Sequence, residues 1–162
     1  MATQILQIVP IHPQTALSRE TRIAQKVIDL ATRERSEFVN ITDRVNEVVR
    51  HSGVSTGLVH VQSLHTTAGV FVCEWQDALI EDAKAFLSQL VSRDGYWRHN
   101  DPQYSDCERK NADSHIRSLL TGQSLSLQIR DSRVLLGTWQ NIVAAEFDGP
   151  RTRSFSIQIF GI

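Results

Sequence analysis

Two apolar runs with strand period stand almost back to back between residues 58 and 75, and three residues separate them. Leu58 to His65 carries Val59, Val61, Ser63 and His65 on one face, and Gly69 to Trp75 carries Val70, Val72 and Glu74 on one face and Phe71, Cys73 and Trp75 on the other. The join is His65-Thr66-Thr67-Ala68. Histidine, threonine, cysteine and glutamate can bind a metal or move a proton, and here they sit on segments whose neighbours ask to be buried. A chain with this centre has to fold as a β-rich core with polar groups let into it. If the two runs form a tight hairpin, Glu74 lies roughly 17 Å from His65 along the partner strand. The two then cannot share one ligand within one chain.

The rest of the chain supplies more strands and a few helices. Strands are expected at Lys26–Thr32 and Glu37–Ile41, at Ser124–Ile129, at Val134–Leu136, at Thr138–Phe147 and at Arg151–Ile159. A helix capped by Thr42 or Asp43 buries Val45, Val48 and Val49 and stops at Gly53. A longer helix starts at Asp77, with Leu79, Ile80, Ala83, Phe86, Leu87, Leu90 and Val91 as its apolar stripe. Ser92 to Lys110 loses all periodicity, and a loop of that length inside a compact domain is usually functional or disordered. A third helix opens at Asn111 or Asp113 and ends at Gly122, and Asp148-Gly149-Pro150 marks a turn. Strands without strict βαβ alternation predict an α+β fold, with a mostly antiparallel, sandwich-like sheet core and two to three helices. Ile5–Val9 reads as a short strand punctuated by prolines, and residues 1–24 read as an extension before a single domain over 25–162.

Totals narrow the function classes. The 162 residues have a net charge of −1, which gives nucleic acid or an anionic membrane no electrostatic hold. No apolar run is long enough to span a bilayer, and no basic segment followed by an apolar one opens the chain. Two cysteines, Cys73 and Cys107, make no disulfide framework, so a cytoplasmic location is expected.

Among the six histidines, His65, His99 and His115 stand in chemically useful contexts: a strand end, a polar loop and a helix start. Three neutral imidazoles with one open position suit a catalytic metal, and hydrogen-bonded or solvated histidines are the plain alternative. Glu74 and Glu146 each end an apolar stretch and are candidates for proton transfer. Thr66 and Thr67 can donate to an anion. Arg151 and Arg153 share a strand face by period two and can grip phosphate.

The string His65-Thr66-Thr67-Ala68, Glu74, Tyr96 and His99, Asn111-Ala112-Asp113-Ser114-His115-Ile116, Leu135-Leu136-Gly137-Thr138-Trp139-Gln140 and Glu146-Phe147-Asp148-Gly149-Pro150-Arg151 resembles the YjbQ family over roughly residues 24–159. The resemblance implies a β-sandwich domain that assembles as a homotrimer with sheets packed around the threefold axis. It implies a divalent metal, zinc in the first instance, at His65, His99 and His115. Glu74 and Glu146 match the family's recurrent glutamates, and Trp139 and Gln140 its Gly-Thr-Trp-Gln segment. With Thr66, Thr67, Asn111 and Arg151 they complete the expected site. Some members carry a weak secondary thiamine-phosphate synthase activity, so an enzyme acting on a small phosphorylated molecule is implied. The alternative is a non-enzymatic trimer that binds metal or anion. In a trimer a neighbouring chain can supply Glu74. Cys73 and Trp75 replace the asparagines that usually flank this glutamate.

Overall fold

The structure, a computed structural model, describes residues 20–162; the predicted strand at Ile5–Val9 lies outside the described residues. Eight strands and three helices follow in the order β1 (Arg22–Ala31), β2 (Glu37–Asn40), α1 (Thr42–Ser52), β3 (Thr56–Ser63), β4 (Ala68–Glu74), α2 (Asp77–Leu90), α3 (Ala112–Thr121), β5 (Ser124–Arg130), β6 (Arg133–Val134), β7 (Gln140–Glu146) and β8 (Thr152–Gly161). β1 begins at Arg22, so it takes in the last residues of the stretch read as an extension.

The strands form two antiparallel sheets. One has the order β1-β8-β3-β5-β6 and the other β2-β7-β4. Each inner face is apolar at every second residue. Ile28 and Leu30, Val59 and Val61, and Phe155, Ile157 and Ile159 meet Ala68 and Val70, Ile142 and Ala144 across the gap, and α1 closes one side with Val45, Val48 and Val49. The far side of the small sheet carries Phe38, Val143, Ala145 and Phe147, on which α2 lays Ile80, Ala83 and Leu87. The α+β sandwich expected from the sequence is present.

The hairpin that the sequence left open does not form. β3 and β4 do not pair; they belong to different sheets, and residues 64–67 carry the chain from one to the other. The cause is local. The Ser63 hydroxyl donates to the His65 carbonyl at 3.1 Å and accepts the His65 N–H at 3.2 Å, a closed turn that competes with continued pairing.

Smaller boundaries shift for similar reasons. The helix starts are served by residues other than the expected caps: Asn40 accepts the Thr42 N–H, Gln76 accepts the Leu79 N–H, and Asn100, from the preceding loop, accepts the Ala112 N–H. Gly53 ends α1 as expected, with φ of 70°. The apolar stripe of α2 is only partly used, because Phe86 is 61% and Leu90 57% exposed.

Candidate functional site

The crossing segment 64–67 divides the polar residues of this end of the sandwich into two clusters. The first lies between the sheets. Glu146 follows Ile142 and Ala144 on the inner face of β7, and Arg153 precedes Phe155 on the inner face of β8, so the side chains meet across the gap. Both Glu146 oxygens accept from Arg153, through Nε and a terminal nitrogen. The same carboxylate accepts from the Thr32 hydroxyl at 3.1 Å and from the Asp148 N–H at 2.7 Å, and Arg153 also donates to the Thr67 hydroxyl at 2.8 Å. Three donors, with a Thr32 hydroxyl proton shared with the Arg151 carbonyl at 2.9 Å, engage one buried carboxylate. Its geometry is that of a structural clamp between the sheets rather than of a group with a free lone pair for proton transfer.

His65 belongs to this cluster. Its Nε2 accepts the Ser154 N–H at 2.9 Å, and Leu64 N–H donates to the Ser154 carbonyl at 3.0 Å. With that lone pair engaged, a neutral ring carries its proton on Nδ1 and has no nitrogen left for a metal. Burial first, then the Arg153 charge, lowers its pKa from 6.5 against the opposing pull of Glu146 and Asp29.

The second cluster surrounds the start of α3. His99, from a 3-10 turn at Arg98–Asn100, and His115, from the first turn of α3, lie with ring centroids 5.0 Å apart at 85°. They wall a cavity of about 420 Å³ shared with Trp97, Arg98, Ala112 and Ile116. The Thr66 backbone carbonyl lies close enough to the His115 ring to favour its protonated form. Burial, then His99, lowers the His115 pKa from 6.5, opposed by Asp148, the Thr66 carbonyl and Asp113.

Beside this cavity, Asp148 is the centre of a web of arginines. Its Oδ1 meets Arg35 at 3.3 Å, and its Oδ2 meets Arg109 at 3.3 Å, Arg151 at 3.2 Å and the Asn111 amide at 2.9 Å. Arg35 also reaches Asp113 at 3.2 Å, which Arg117 approaches at 3.6 Å from the other side. Gly149 lets these groups converge. Its N–H donates to the Arg35 carbonyl at 3.0 Å, and a Cβ there would stand 2.1 Å from the Glu34 carbonyl oxygen.

The predicted site residues therefore separate into groups. His99, His115, Asn111 and Arg151 gather at the start of α3. His65, Thr67 and Glu146 form the clamp, and Thr66 lies between His65 and Thr67, with its carbonyl near the His115 ring. Glu74 pairs with Gln140 at the opposite end of β4, next to the exposed Trp139, so the length of that strand, roughly 20 Å, keeps the three away. The shared strand face of Arg151 and Arg153 is corrected: Arg151 precedes β8 and turns back to Asp148, while Arg153 is buried on Glu146. Among the described residues, no three His, Cys, Asp or Glu side chains are grouped to hold a metal ion, so the three histidines are brought together as a pair and a single. Arg35 and Arg109 are the residues that sequence reasoning missed. Neither sits in a period or motif that marks it.

Stability should follow the two lowered histidines. Between their folded pKa values and 6.5 the unfolded chain binds protons that the fold refuses, so stability rises with pH through that window and is lost on acidification below 6.5. Melting temperature measured from about pH 5 to 8 should fall on the acid side, and His65→Gln should flatten the slope. A melting temperature that climbs as the pH drops through this window would contradict the assignment.

Known proteins share this arrangement of sequence and fold. A family model described as UPF0047 protein YjbQ-like matches residues 26–162. A UPF0047 protein of Methanocaldococcus jannaschii is 38% identical over 133 residues, covering 82% of this chain and 91% of its own. One of Methanothermobacter thermautotrophicus is 35% identical over 134 residues, covering 83% and 90%. Among solved structures, a YbjQ-like protein of unknown function from Sulfolobus solfataricus superposes with a TM-score of 0.82 at 28% identity, over 88% of this chain and 100% of that one. A hypothetical protein from Aeropyrum pernix gives 0.78 at 32%, over 86% and 99%.

Proposed function

The chain belongs to the YjbQ-like UPF0047 family, and on that premise we propose that it is a homotrimer acting on a small phosphorylated molecule at the cavity between His99, His115 and the start of α3. The observation that carries the reading is the His99–His115 pair itself. Two imidazoles wall one cavity at a helix start, with ring centroids 5.0 Å apart, as two ligands of one ion can stand. A divalent metal, zinc first, would take His99 and His115 from this chain and its remaining ligands from outside it. Such a metal supplies charge stabilisation at a phosphate oxygen. Around it, Arg151 would orient an anion, Asn111 would hold Asp148 in place through its 2.9 Å amide contact, and Trp97 and Ile116 give the cavity its apolar wall. A thiamine-phosphate synthase-like transfer is one reaction within this class.

Assembly is supported by the outer face of the large sheet. Ile23, Phe160 and Leu58 lie side by side in register, followed by Gln25, Gln158, His60 and Ser126, then Val27, Ser156, Gln62 and Ser124. These rows hold no Lys, Arg, Asp or Glu, and such depletion of charge marks interface cores more than solvated sheet faces. A neighbouring chain packed there is the source proposed for a Glu74 that its own chain keeps remote.

A second reading, a trimer that binds metal or anion without chemistry, is favoured by one observation. Glu146 and Asp148, the carboxylates facing this end, are both already engaged by arginines. One set of measurements separates the readings. Zinc content and sedimentation mass are determined for the protein and for His65→Ala, His99→Ala and His115→Ala. Expected are a mass of three chains, affinity reduced at least about tenfold in His99→Ala and His115→Ala, and zinc retained in His65→Ala. Full retention in both of the former sinks the metal site. The loaded protein is then offered phosphate esters and thiamine precursors, with Glu74→Gln as control. Binding without turnover selects the second reading.

A further inference from the structure

We propose that Arg35, Arg109 and Arg151 form a cradle for the phosphate dianion of the substrate, with Asp148 holding them apart and in place until it binds. The proposal deepens the reading above and rests on it for the position of the substrate. The two arginine clusters of this end differ in kind. Arg153 meets Glu146 one to one, both are buried, and both carboxylate oxygens are engaged. The second cluster sets four guanidiniums, Arg35, Arg109, Arg117 and Arg151, against two carboxylates, Asp113 and Asp148. A stabilising ion pair has no use for that surplus, since crowded like charges repel.

The distances agree. The contacts of Asp148 with its three arginines lie between 3.2 and 3.3 Å, whereas charge-assisted N–H···O bonds close to about 2.7–2.9 Å. One carboxylate is stretched among three forks, and Arg35 Nε is buried with no partner at all. The forks remain reachable, with side-chain exposures of 29% for Arg35, 53% for Arg109 and 34% for Arg151, while Asp148 itself is 7% exposed. A phosphate monoester carries a charge of about −1.5 to −2 and three acceptor oxygens. It would match the surplus and supply acceptors for N–H groups that Asp148 leaves unused. A carboxylate brings half that charge and a planar pair of oxygens. Asn111, whose amide donates to Asp148 at 2.9 Å, directly precedes Ala112 in the cavity wall, so the cradle adjoins the histidine cavity and a phosphate held there directs the rest of the molecule toward His99 and His115.

The test uses the full chain at constant ionic strength, with inorganic phosphate, glycerol phosphate and acetate as probes. Calorimetric titration should show phosphate and its monoester bound well ahead of acetate. Arg109→Ala and Arg151→Ala should each weaken phosphate binding at least about tenfold, and Arg109→Lys should recover part of the loss. Arg109 is half exposed on a loop, so its variant should keep the parent's melting temperature. Unchanged phosphate affinity in both alanine variants overturns the cradle, as does no phosphate binding by the parent at about 10 mM. Titrations in chelator and in His99→Ala separate this from the metal reading. Phosphate binding that survives both while zinc is lost leaves the cradle standing alone. Phosphate binding abolished in the parent by chelator assigns the anion to the metal and overturns the cradle.

Discussion

Replacing Glu146 by alanine should lower the unfolding free energy by about 3–5 kcal/mol, the usual cost of removing one partner from a buried ion pair. Glu146 is 2% exposed and Arg153 4%, so the guanidinium left behind has no water to turn to. It keeps only the Thr67 hydroxyl, while the Thr32 hydroxyl loses its contact with Glu146 and the Asp148 N–H loses its acceptor. Arg153→Ala should cost a similar amount by stranding the carboxylate. The double substitution Glu146→Leu with Arg153→Met should cost clearly less than the two single losses added, because neither charge is then left alone. Urea unfolding followed by tryptophan fluorescence measures all three. A Glu146→Ala loss below about 1 kcal/mol would mean that the clamp does not hold the sheets together.

Gly149→Ala is expected to cost about 2–4 kcal/mol, at the upper end for one added methyl group, because the tightest of its contacts is with backbone. The new Cβ would stand 2.1 Å from the Glu34 carbonyl oxygen, 2.9 Å from Glu146 Cγ and 3.0 Å from the Thr32 hydroxyl. Relief requires the loop before β2 to move off the turn before β8, and that breaks the Gly149 N–H bond to the Arg35 carbonyl. Arg35 would then be displaced from Asp148, so phosphate affinity should fall together with stability. If Gly149→Ala unfolds at the parent's urea concentration, the close approach of these loops is wrong.

Period two was enough to find the strands, and the Val45-Val48-Val49 spacing was enough to find the face of α1 that is buried. Both are local signals written in a few consecutive residues. Strand pairing is not local. The runs at 58–65 and 69–75 invited a hairpin, and nothing in their spacing says that a Ser63 hydroxyl closes a turn and sends the second run to the other sheet. The candidate site shows the same division. His99, Asn111, His115 and Arg151 stand in recognisable segments and do gather. Arg35 reaches Asp148 from 113 residues away, and Glu146 acquires its meaning from an arginine on another sheet. Paired charges are legible only once the fold has said which ones face each other. The exposed half of α2 is a further case, since its periodicity specifies an apolar face without saying what covers it.

His65 accepts the Ser154 N–H and Thr67 accepts from the Arg153 guanidinium, while the Thr66 carbonyl between them acts on the charge of His115. Because they are consecutive, none can shift without dragging the next. Substitutions along this tripeptide should therefore be epistatic. A scan of single replacements would count the same lost contacts several times, and only double-mutant cycles would apportion them.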